Sequence, residues 1–223
     1  MKRGFFITFE GGEGAGKSTQ AARLATRLRS SGHPVRQLRE PGGTPLAEEI
    51  RHTLKHSPAA AGMCPETELL LMNAARAQLV REIIRPALDA GEVVVCDRFL
   101  DSTLAYQGWG RELPLDLVRQ VLELAVGSTR PDLTLLLRLA PEIAASRRKA
   151  RVEAQPAPGT ADRFEAEDTA FFARVGRGFE ALAREEPTRI HVIDASPSES
   201  DVESAIWRAV VERLGVGDYN SGK

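Results

Sequence analysis

A glycine-rich segment near the start of the chain has the residue types and spacing needed to bind phosphate. Residues 11–18 read Gly-Gly-Glu-Gly-Ala-Gly-Lys-Ser and satisfy the pattern G-x-x-x-x-G-K-[ST] in full. Glycines let successive backbone N–H groups converge on phosphate oxygens, and a helix that begins near Lys17 adds its positive N-terminal end. We expect Lys17 to bridge the outer phosphates of a nucleotide and Ser18 to ligate Mg²⁺. The predicted nucleotide-binding residues are Gly11, Gly12, Glu13, Gly14, Ala15, Gly16, Lys17, Ser18 and Thr19.

Two carboxylates at the ends of apolar runs are candidate metal ligands. Residues 93–96 are apolar, and Asp97 and Arg98 follow them directly. An acid in this position helps to hold Mg²⁺ beside a phosphate loop. Glu10 ends the first apolar run and is predicted as a third metal ligand beside Ser18 and Asp97. Because an apolar run that ends in Asp is common, this assignment depends on the glycine-rich loop that precedes it.

Apolar runs alternate along the chain with segments of helical periodicity, a pattern typical of a parallel sheet wrapped by crossover helices. It predicts an α/β fold, a five-stranded parallel sheet with helices on both faces, in which ATP lies at the carboxyl ends of the strands. The alternative, an ordinary glycine-rich turn, is disfavoured because residues 11–18 lie between a predicted strand and a predicted amphipathic helix. The predicted strands are 4–10, 33–38, 92–96, 132–138 and 189–193, and further helical segments are 45–55, 65–90 and a last helix from about 198.

Length and charge exclude several classes of protein. The 223 residues predict one domain, 1–215, with a tail at 216–223. A net charge of -1 gives no global reason to bind nucleic acid or an anionic membrane. The first apolar stretch, residues 5–9, is too short for an export signal or a membrane span. Cys64 and Cys96 lack metal or redox spacing and fit a reducing cytoplasm.

Several further segments, in the same order along the chain, resemble those of bacterial thymidylate kinases. Arg-Glu-Pro-Gly-Gly-Thr at 39–44 and Asp-Arg-x-x-x-Ser-x-x-Ala-Tyr-Gln at 97–107 are the most specific of them. The other segments are 8–11, 74–76, 130–132 and Asp-Arg-Phe-Glu at 162–165. The resemblance runs from about residue 5 to about residue 210. It implies a P-loop kinase that transfers the γ-phosphoryl of ATP to dTMP, giving dTDP and ADP, with Mg²⁺ as metal and a homodimer as assembly.

The resemblance also implies an acceptor site. Glu13 matches a carboxylate that contacts the sugar 3′-hydroxyl, and Arg98 matches an arginine that holds the dTMP phosphate. Arg76 matches an arginine that faces the base, and Tyr106 matches a ring that packs below the deoxyribose and disfavours a 2′-hydroxyl. Polar groups at Thr103 and Gln107 line the base site, and Pro41 walls the pocket. The full predicted set is Pro41, Met72, Arg76, Arg98, Phe99, Ser102, Thr103, Tyr106 and Gln107.

Met72 departs from the family pattern. Members usually carry Phe at this position, stacked on thymine. A thioether covers a flat ring but gives a less rigid platform. The alternatives are that Met72 belongs to the core, or that Phe99 supplies the stacking.

A basic run supplies the remaining cations for phosphoryl transfer. Residues 11–18 contain no arginine, whereas Arg147, Arg148, Lys149 and Arg151 precede or begin a Pro- and Ala-rich stretch in a candidate lid, 146–164. Arg147 and Arg151 are four apart and so lie on one helix face. The alternative is a solvated basic face. The predicted catalytic residues are Lys17, Glu13, Arg98, Arg151 and Arg163.

Three other functions are alternatives to phosphorylation of dTMP. A deoxynucleoside kinase needs a general base for the 5′-hydroxyl, whereas Arg98 suits an acceptor phosphate. A nucleoside monophosphate kinase with another base preference is the second. A GTP-binding switch is disfavoured because the chain has no Asn-Lys dipeptide, and Arg98-Phe99-Leu100 follows Asp97 where a switch carries Asp-x-x-Gly.

Overall fold

The computed structural model describes residues 3–140, 142–144, 146–147 and 163–215. Five strands form one sheet: β1 (Phe5–Glu10), β2 (Val35–Arg39), β3 (Val93–Asp97), β4 (Leu133–Arg138) and β5 (Ile190–Asp194). Their order is β2-β3-β1-β4-β5, and every neighbouring pair is parallel. The predicted sheet is confirmed, and each strand boundary lies within two residues of its prediction.

Helices connect the strands. They are α1 (Lys17–Ser30), α2 (Pro45–His56), α3 (Pro65–Leu79), α4 (Arg85–Asp89), α5 (Leu100–Thr103), α6 (Leu115–Val126), α7 (Thr169–Glu185) and α8 (Glu199–Leu214). A π-helical turn, Val80–Ile84, joins α3 to α4, so the predicted segment 65–90 is one nearly continuous helical stretch. A second π-helical segment, Leu104–Gly110, continues α5. Within the described residues, no helix is both long and apolar enough to cross a membrane.

Alternate residues of the strands enter two separate hydrophobic cores. On one face of the sheet, Ile7 and Phe9 of β1 pack with the apolar sides of α1 and α8. On the other face, Phe6 packs with Val94 and Leu136 beneath α3, α4, α6 and α7. Two-sided burial explains why the strands read as nearly continuous apolar runs. Helices therefore cover both faces of the sheet, as predicted.

The sheet order brings the two predicted phosphate motifs together. β1 lies between β3 and β4, with Phe9 of β1 beside Asp97 of β3. The glycine-rich loop, residues 11–16, leaves the end of β1, and Arg98 leaves the end of β3. Since the strands are parallel, these ends lie at the same edge of the sheet, where ligands bind in open α/β folds.

A buried polar chain ties α5 to the sheet. The hydroxyl oxygens of Thr8 and Thr134 lie 2.8 Å apart. Arg189 donates to the Thr134 hydroxyl at 2.7 Å and to the two carboxylate oxygens of Asp101 at 2.8 and 2.7 Å. Asp101 is only 1% exposed, so this ion pair is shielded from water. The helix that follows Arg98 is thereby fixed to β4 and to the residue before β5.

We expect Asp101→Asn to lower the free energy of unfolding by about 3 kcal/mol, because it breaks a buried ion pair and leaves the largely buried Arg189 with only the half-exposed Glu186 as a carboxylate partner among the described residues. Denaturant unfolding measures the loss. Arg119→Ala is the control, since it removes an exposed ion pair with Glu185 and should change stability by less than about 1 kcal/mol. Equal losses in both variants would contradict a structural role for the buried pair.

Candidate active site

Backbone conformation at the glycine-rich loop requires glycine at defined positions. Gly11 has a φ of +132°, and a Cβ there would lie 2.4 Å from the carbonyl oxygen of Leu137. Gly16, the residue before α1, has a φ of +84° in the left-handed region. A side chain at either position would strain the loop. The glycines of the sequence pattern therefore meet two structural requirements. The backbone passes close to β4 at Gly11 and turns sharply into α1 at Gly16.

Lys17 is folded back over this loop. Its Nζ donates to the Gly12 carbonyl at 2.7 Å, and the side chain is almost fully buried. Burial, reinforced by the positive charge of Arg98, lowers the pKa of Lys17 to about 8. An ammonium so placed has lost much of its hydration, and an anionic phosphate can take the place of the missing water.

Ser18 and Asp97 fit a Mg²⁺ site. The Ser18 hydroxyl donates to Oδ2 of Asp97, and the buried Oδ1 of Asp97 has no hydrogen-bond partner among the described residues. No group of three or more His, Cys, Asp or Glu able to hold a metal occurs in that part of the chain. Mg²⁺ does not need such a cage, because it keeps several waters and takes phosphate oxygens as ligands.

Glu10, predicted as a metal ligand, has another role. It has no exposed surface, and its Oε1 accepts from the backbone N–H groups of Phe99 and Ser102 at 2.8 and 3.1 Å. Its Oε2 accepts from the Ser102 hydroxyl at 2.6 Å. Both oxygens therefore hold the start of α5 in this geometry, and metal ligation by Glu10 stays a prediction.

Arg98 stands between the phosphate loop and the predicted acceptor pocket. Its φ of 69° lies in the left-handed region, which costs a non-glycine residue on the order of 1–3 kcal/mol. Its Nη1 donates to the Gly11 carbonyl at 3.3 Å and to the Ser102 hydroxyl at 3.1 Å. Its Nη2 pairs with Oε1 of Glu13 at 2.5 Å. The strained turn thus aims a guanidinium at the junction of donor and acceptor sites.

Tyr106 completes this junction. Its ring centroid lies 5.1 Å from the guanidinium carbon of Arg98, and its hydroxyl accepts from Nη2 of Arg98 at 3.3 Å. The same hydroxyl lies 3.4 Å from Oε1 of Glu13, to which it donates. Burial raises the pKa of Tyr106, so its phenol stays protonated at neutral pH. Tyr106, Arg98 and Glu13 therefore support one another in fixed positions.

A cleft opens beside Arg98, and its empty space, including the solvent at its mouth, is about 490 Å³. Its lining contains eight of the nine residues of the predicted acceptor set, together with four others. The lining residues are Glu13, Glu40, Pro41, Lys55, Met72, Arg76, Arg98, Ser102, Thr103, Tyr106, Gln107 and Phe164. Met72 lines the cleft and also packs against the core. Its contact with a base stays a prediction.

Phe99, offered as a stacking ring, does not line the cleft. Its side chain is fully buried, and its ring packs edge-on against Phe6 with centroids 4.9 Å apart. It acts through its backbone, donating to Glu10 and accepting from Arg76. The prediction that Phe99 contacts a base is therefore wrong for this structure.

Arg76 borders the cleft as predicted, and its donors are already engaged. Its Nε bonds Glu40 at 2.8 Å, its Nη1 bonds Asn73 and Thr103 at 3.0 and 2.8 Å, and its Nη2 bonds the Phe99 carbonyl at 3.0 Å. Burial raises the pKa of Glu40 against the lowering effect of Arg76. The guanidinium is thus held in one orientation by groups from four residues.

The predicted lid arginines fall into different places. Arg147 lies over the phosphate loop, with Nη1 3.4 Å from the Gly14 carbonyl. Arg163 instead pairs with Glu68 and donates to the Leu54 carbonyl at 3.2 Å, on the nucleoside side of the cleft. This geometry favours a role for Arg163 in fixing the wall of the cleft rather than in contacting a transferring phosphate. Arg151 and most of segment 146–164 lie outside the described residues, as does the tail 216–223.

Four residues at or behind the cleft were not predicted. Glu40 and Phe164 belong to the segments 39–44 and 162–165, whose resemblance to the family was a usable signal. Lys55 and Glu68 carry no such mark, because a charged residue on a helix usually faces solvent. Tertiary packing alone shows that Glu68 is fully buried.

Comparison with known proteins identifies the family. The family model for thymidylate kinase matches residues 9–206. The chain belongs to the thymidylate kinase family. It is 49% identical over 213 residues to the thymidylate kinase of Deinococcus radiodurans, covering 96% of this chain and 99% of that protein. It is 51% identical over 205 residues to that of Syntrophotalea carbinolica, covering 91% and 93%.

A solved structure agrees with this assignment. The crystal structure of thymidylate kinase from Ehrlichia chaffeensis superposes with a TM-score of 0.73 at 32% identity, covering 93% of this chain and 99% of that one. The sheet described above is therefore that of a thymidylate kinase.

Glu10 should make the stability of this thymidylate kinase family member depend on pH. Burial, aided by the charge of Asp101, raises the pKa of Glu10 from 4.5 to about 7. Between these values the folded state binds the proton and the unfolded state releases it, so stability falls as pH rises. Relative to Glu10→Gln, the wild type should lose ~3 kcal/mol between about pH 4.5 and 7.5.

Urea unfolding across this pH range measures the difference between the two proteins. Glu185→Gln is the control, since it removes the charge of a carboxylate in an exposed ion pair with Arg119. Parallel curves for wild type and Glu10→Gln would show that the buried carboxyl has an ordinary pKa.

Proposed function

We propose that this protein transfers the γ-phosphoryl of ATP to dTMP, giving dTDP and ADP. The observation that carries the proposal is the position of Arg98, which bonds the phosphate loop at Gly11 and also lines the acceptor cleft. A cation in this place can neutralise two phosphates that must approach each other. Family membership and the lining of the cleft support the same conclusion.

On the donor side, the protein contributes positioning and charge. Backbone N–H groups of residues 11–16 and the start of α1 favour binding of the ATP phosphates. Lys17 replaces its bond to the Gly12 carbonyl with one to the outer phosphates. Ser18 and Asp97 would hold Mg²⁺, with Asp97 contributing the unpaired Oδ1. When bound, Mg²⁺ neutralises charge on the transferring group.

On the acceptor side, Arg98 holds the dTMP phosphate in line with the γ-phosphoryl. Glu13 keeps the guanidinium at this angle and lies where a sugar hydroxyl can donate to it. The protonated Tyr106 ring walls the sugar and leaves little room for a 2′-hydroxyl. Since a phosphate oxygen is already a nucleophile, the reaction needs alignment rather than a general base.

The base end of the cleft has a mixed wall. Met72 supplies a flexible apolar surface, while Thr103 and Gln107 supply hydrogen-bonding groups. Arg76 shapes this end through its fixed contacts with Glu40 and Thr103. We propose that these residues surround thymine.

The remaining cation of the transition state is proposed to be Arg151. This arginine lies outside the described residues. Arg147 lies 3.4 Å from the carbonyl oxygen of Gly14, which supports a basic segment above the phosphate loop.

We further propose a homodimer. Large apolar side chains are exposed on α2, α3 and α6, which pack side by side: Leu46, Leu70, Leu117 and Leu124. Leu124 is 80% exposed. Several exposed leucines on neighbouring helices indicate a surface that a second copy of the chain covers. Sedimentation velocity tests the assembly, and a single monomeric species would contradict it.

The free thiols of Cys64 and Cys96 support a cytoplasmic location.

An ADP-release assay with ATP and Mg²⁺ tests the function, with dTMP, dUMP, dCMP, dGMP, UMP and thymidine offered in parallel. We expect strong turnover of dTMP, with UMP and thymidine near background. Preference for thymidine would favour a deoxynucleoside kinase. Preference for another monophosphate would leave the phosphate loop assignment intact and overturn the base-site assignment.

Arg98→Lys should lower kcat for dTMP by about 10²–10³-fold, because lysine keeps the charge and loses the fork of donors. Both residues have a Cβ, so the left-handed turn is strained equally in the two proteins. Steady-state kinetics should show little change in KM for ATP. Arg130→Lys, at an exposed pair with Glu123, is the matched control. Activity within about threefold of wild type would exclude a catalytic role for Arg98.

A further inference from the structure

Glu68 of α3 is a buried carboxylate with an unusual number of partners. It has no exposed surface, although glutamate is among the residues least often buried. Its Oε1 accepts from Nε2 of Gln107 at 2.7 Å. Its Oε2 accepts from Nη2 of Arg111 at 2.9 Å and from Nη2 of Arg163. One side chain of α3 thus binds two separate later segments of the chain.

The position of Glu68 on α3 relates it to the cleft. Glu68, Met72 and Arg76 are four residues apart and lie on one face of the helix. Across from them, Thr103 and Gln107 are also four residues apart. Arg76 bonds Thr103 at 2.8 Å and Glu68 bonds Gln107 at 2.7 Å, so two polar contacts join the helices at either side of Met72. Glu68 and Arg76 thus lie one helical turn to either side of Met72, which lines the cleft.

The contact with Glu68 determines how Gln107 presents its amide. A carboxylate only accepts hydrogen bonds, so the NH₂ group of Gln107 must face Glu68. The amide oxygen then points away from the carboxylate. Gln107 is 1% exposed and lines the cleft. The carboxylate therefore selects one of the two amide orientations without itself reaching the cleft.

Glu68 also holds the opposite wall in place. Arg163 is pinned by Glu68 and by the Leu54 carbonyl, and the next residue, Phe164, lines the cleft with its ring centroid 6.2 Å from that of Tyr106. Arg111 pairs with Glu167 at 2.6 Å on the same short segment. Without the carboxylate, the guanidinium groups of Arg111 and Arg163 would lose the anion that they share.

We propose that Glu68 is a positioning residue for the acceptor: it fixes the amide of Gln107 and the wall at Phe164, and so sets affinity and base selectivity for dTMP without touching it. This inference rests on the proposed function, in which the base lies beside Gln107. It assigns a role in substrate recognition to a side chain that is fully buried.

Glu68→Gln, Gln107→Ala and the double variant test the proposal. Glu68→Gln should raise the dissociation constant for dTMP by about tenfold or more, since it removes a charge-assisted hydrogen bond that orders the wall of the site. Titration calorimetry measures binding, and kinetics should show a matching fall in the dTMP-over-dCMP ratio of kcat/KM. The KM for ATP should stay within about twofold of wild type.

The double variant separates positioning from general damage. If Glu68 acts through Gln107, adding Glu68→Gln to Gln107→Ala should lower base selectivity by less than about twofold more. Additive losses of selectivity in the double variant would overturn the proposal. So would dTMP affinity and selectivity in Glu68→Gln equal to those of wild type.

Two further variants keep the result interpretable. Val210→Ala removes a buried side chain from the core between the sheet and α8, on the face opposite to α3, and should lower stability while leaving base selectivity unchanged. Glu68→Asp keeps the charge near both arginines and shortens the reach to Gln107, so it should show the selectivity loss even if Glu68→Gln fails to fold.

Wild-type turnover of dTMP is measured first. If it is absent, the proposed function fails, whereas normal wild-type turnover with unaltered variants refutes the role of Glu68 alone.

Discussion

The left-handed turn at Arg98 is the constraint on which the site depends. It lies at the end of β3, beside the loop that leaves β1, and it turns a guanidinium back toward the Gly11 carbonyl and Glu13. A non-glycine residue keeps such a backbone only where its surroundings hold it. Glu10 does so by bonding the two N–H groups that open α5. The buried carboxyl at the end of β1 is therefore best understood as the support of Arg98.

Three buried pairings of arginine with carboxylate surround the cleft and its supporting helix. Arg76 pairs with Glu40, Arg189 pairs with Asp101, and Glu68 pairs with two arginines. Buried ion pairs are weak sources of stability, because desolvation offsets most of their attraction. Their effect here is to fix donors and acceptors in one geometry before the substrate arrives. Phosphoryl transfer depends on such preorganisation more than on covalent assistance.

The sequence predicted well those features that depend on local pattern. The parallel sheet follows from the apolar runs, and the phosphate loop follows from glycines at fixed spacing before Lys17. The hydrogen bonds of Glu10 and the buried ring of Phe99 were not predicted, and both have the same physical cause. Each ends or follows a buried strand, and sequence position alone does not tell whether a side chain turns toward the ligand or back into the protein. Glu68 was missed because its partners, Gln107 and Arg163, are distant in sequence.

The electrostatics of the phosphate site prepare it to bind the phosphates of ATP. Lys17 is desolvated and lies near Arg98, and both effects lower its pKa to about 8. Glu13 and Asp97 offset this only in part, since they oppose the lowering without cancelling it. The folded protein therefore holds a dehydrated ammonium with which the phosphates of ATP can pair. Because folding places these charges beforehand, nucleotide binding restores interactions that water can no longer provide, and little reorganisation remains for the chemical step.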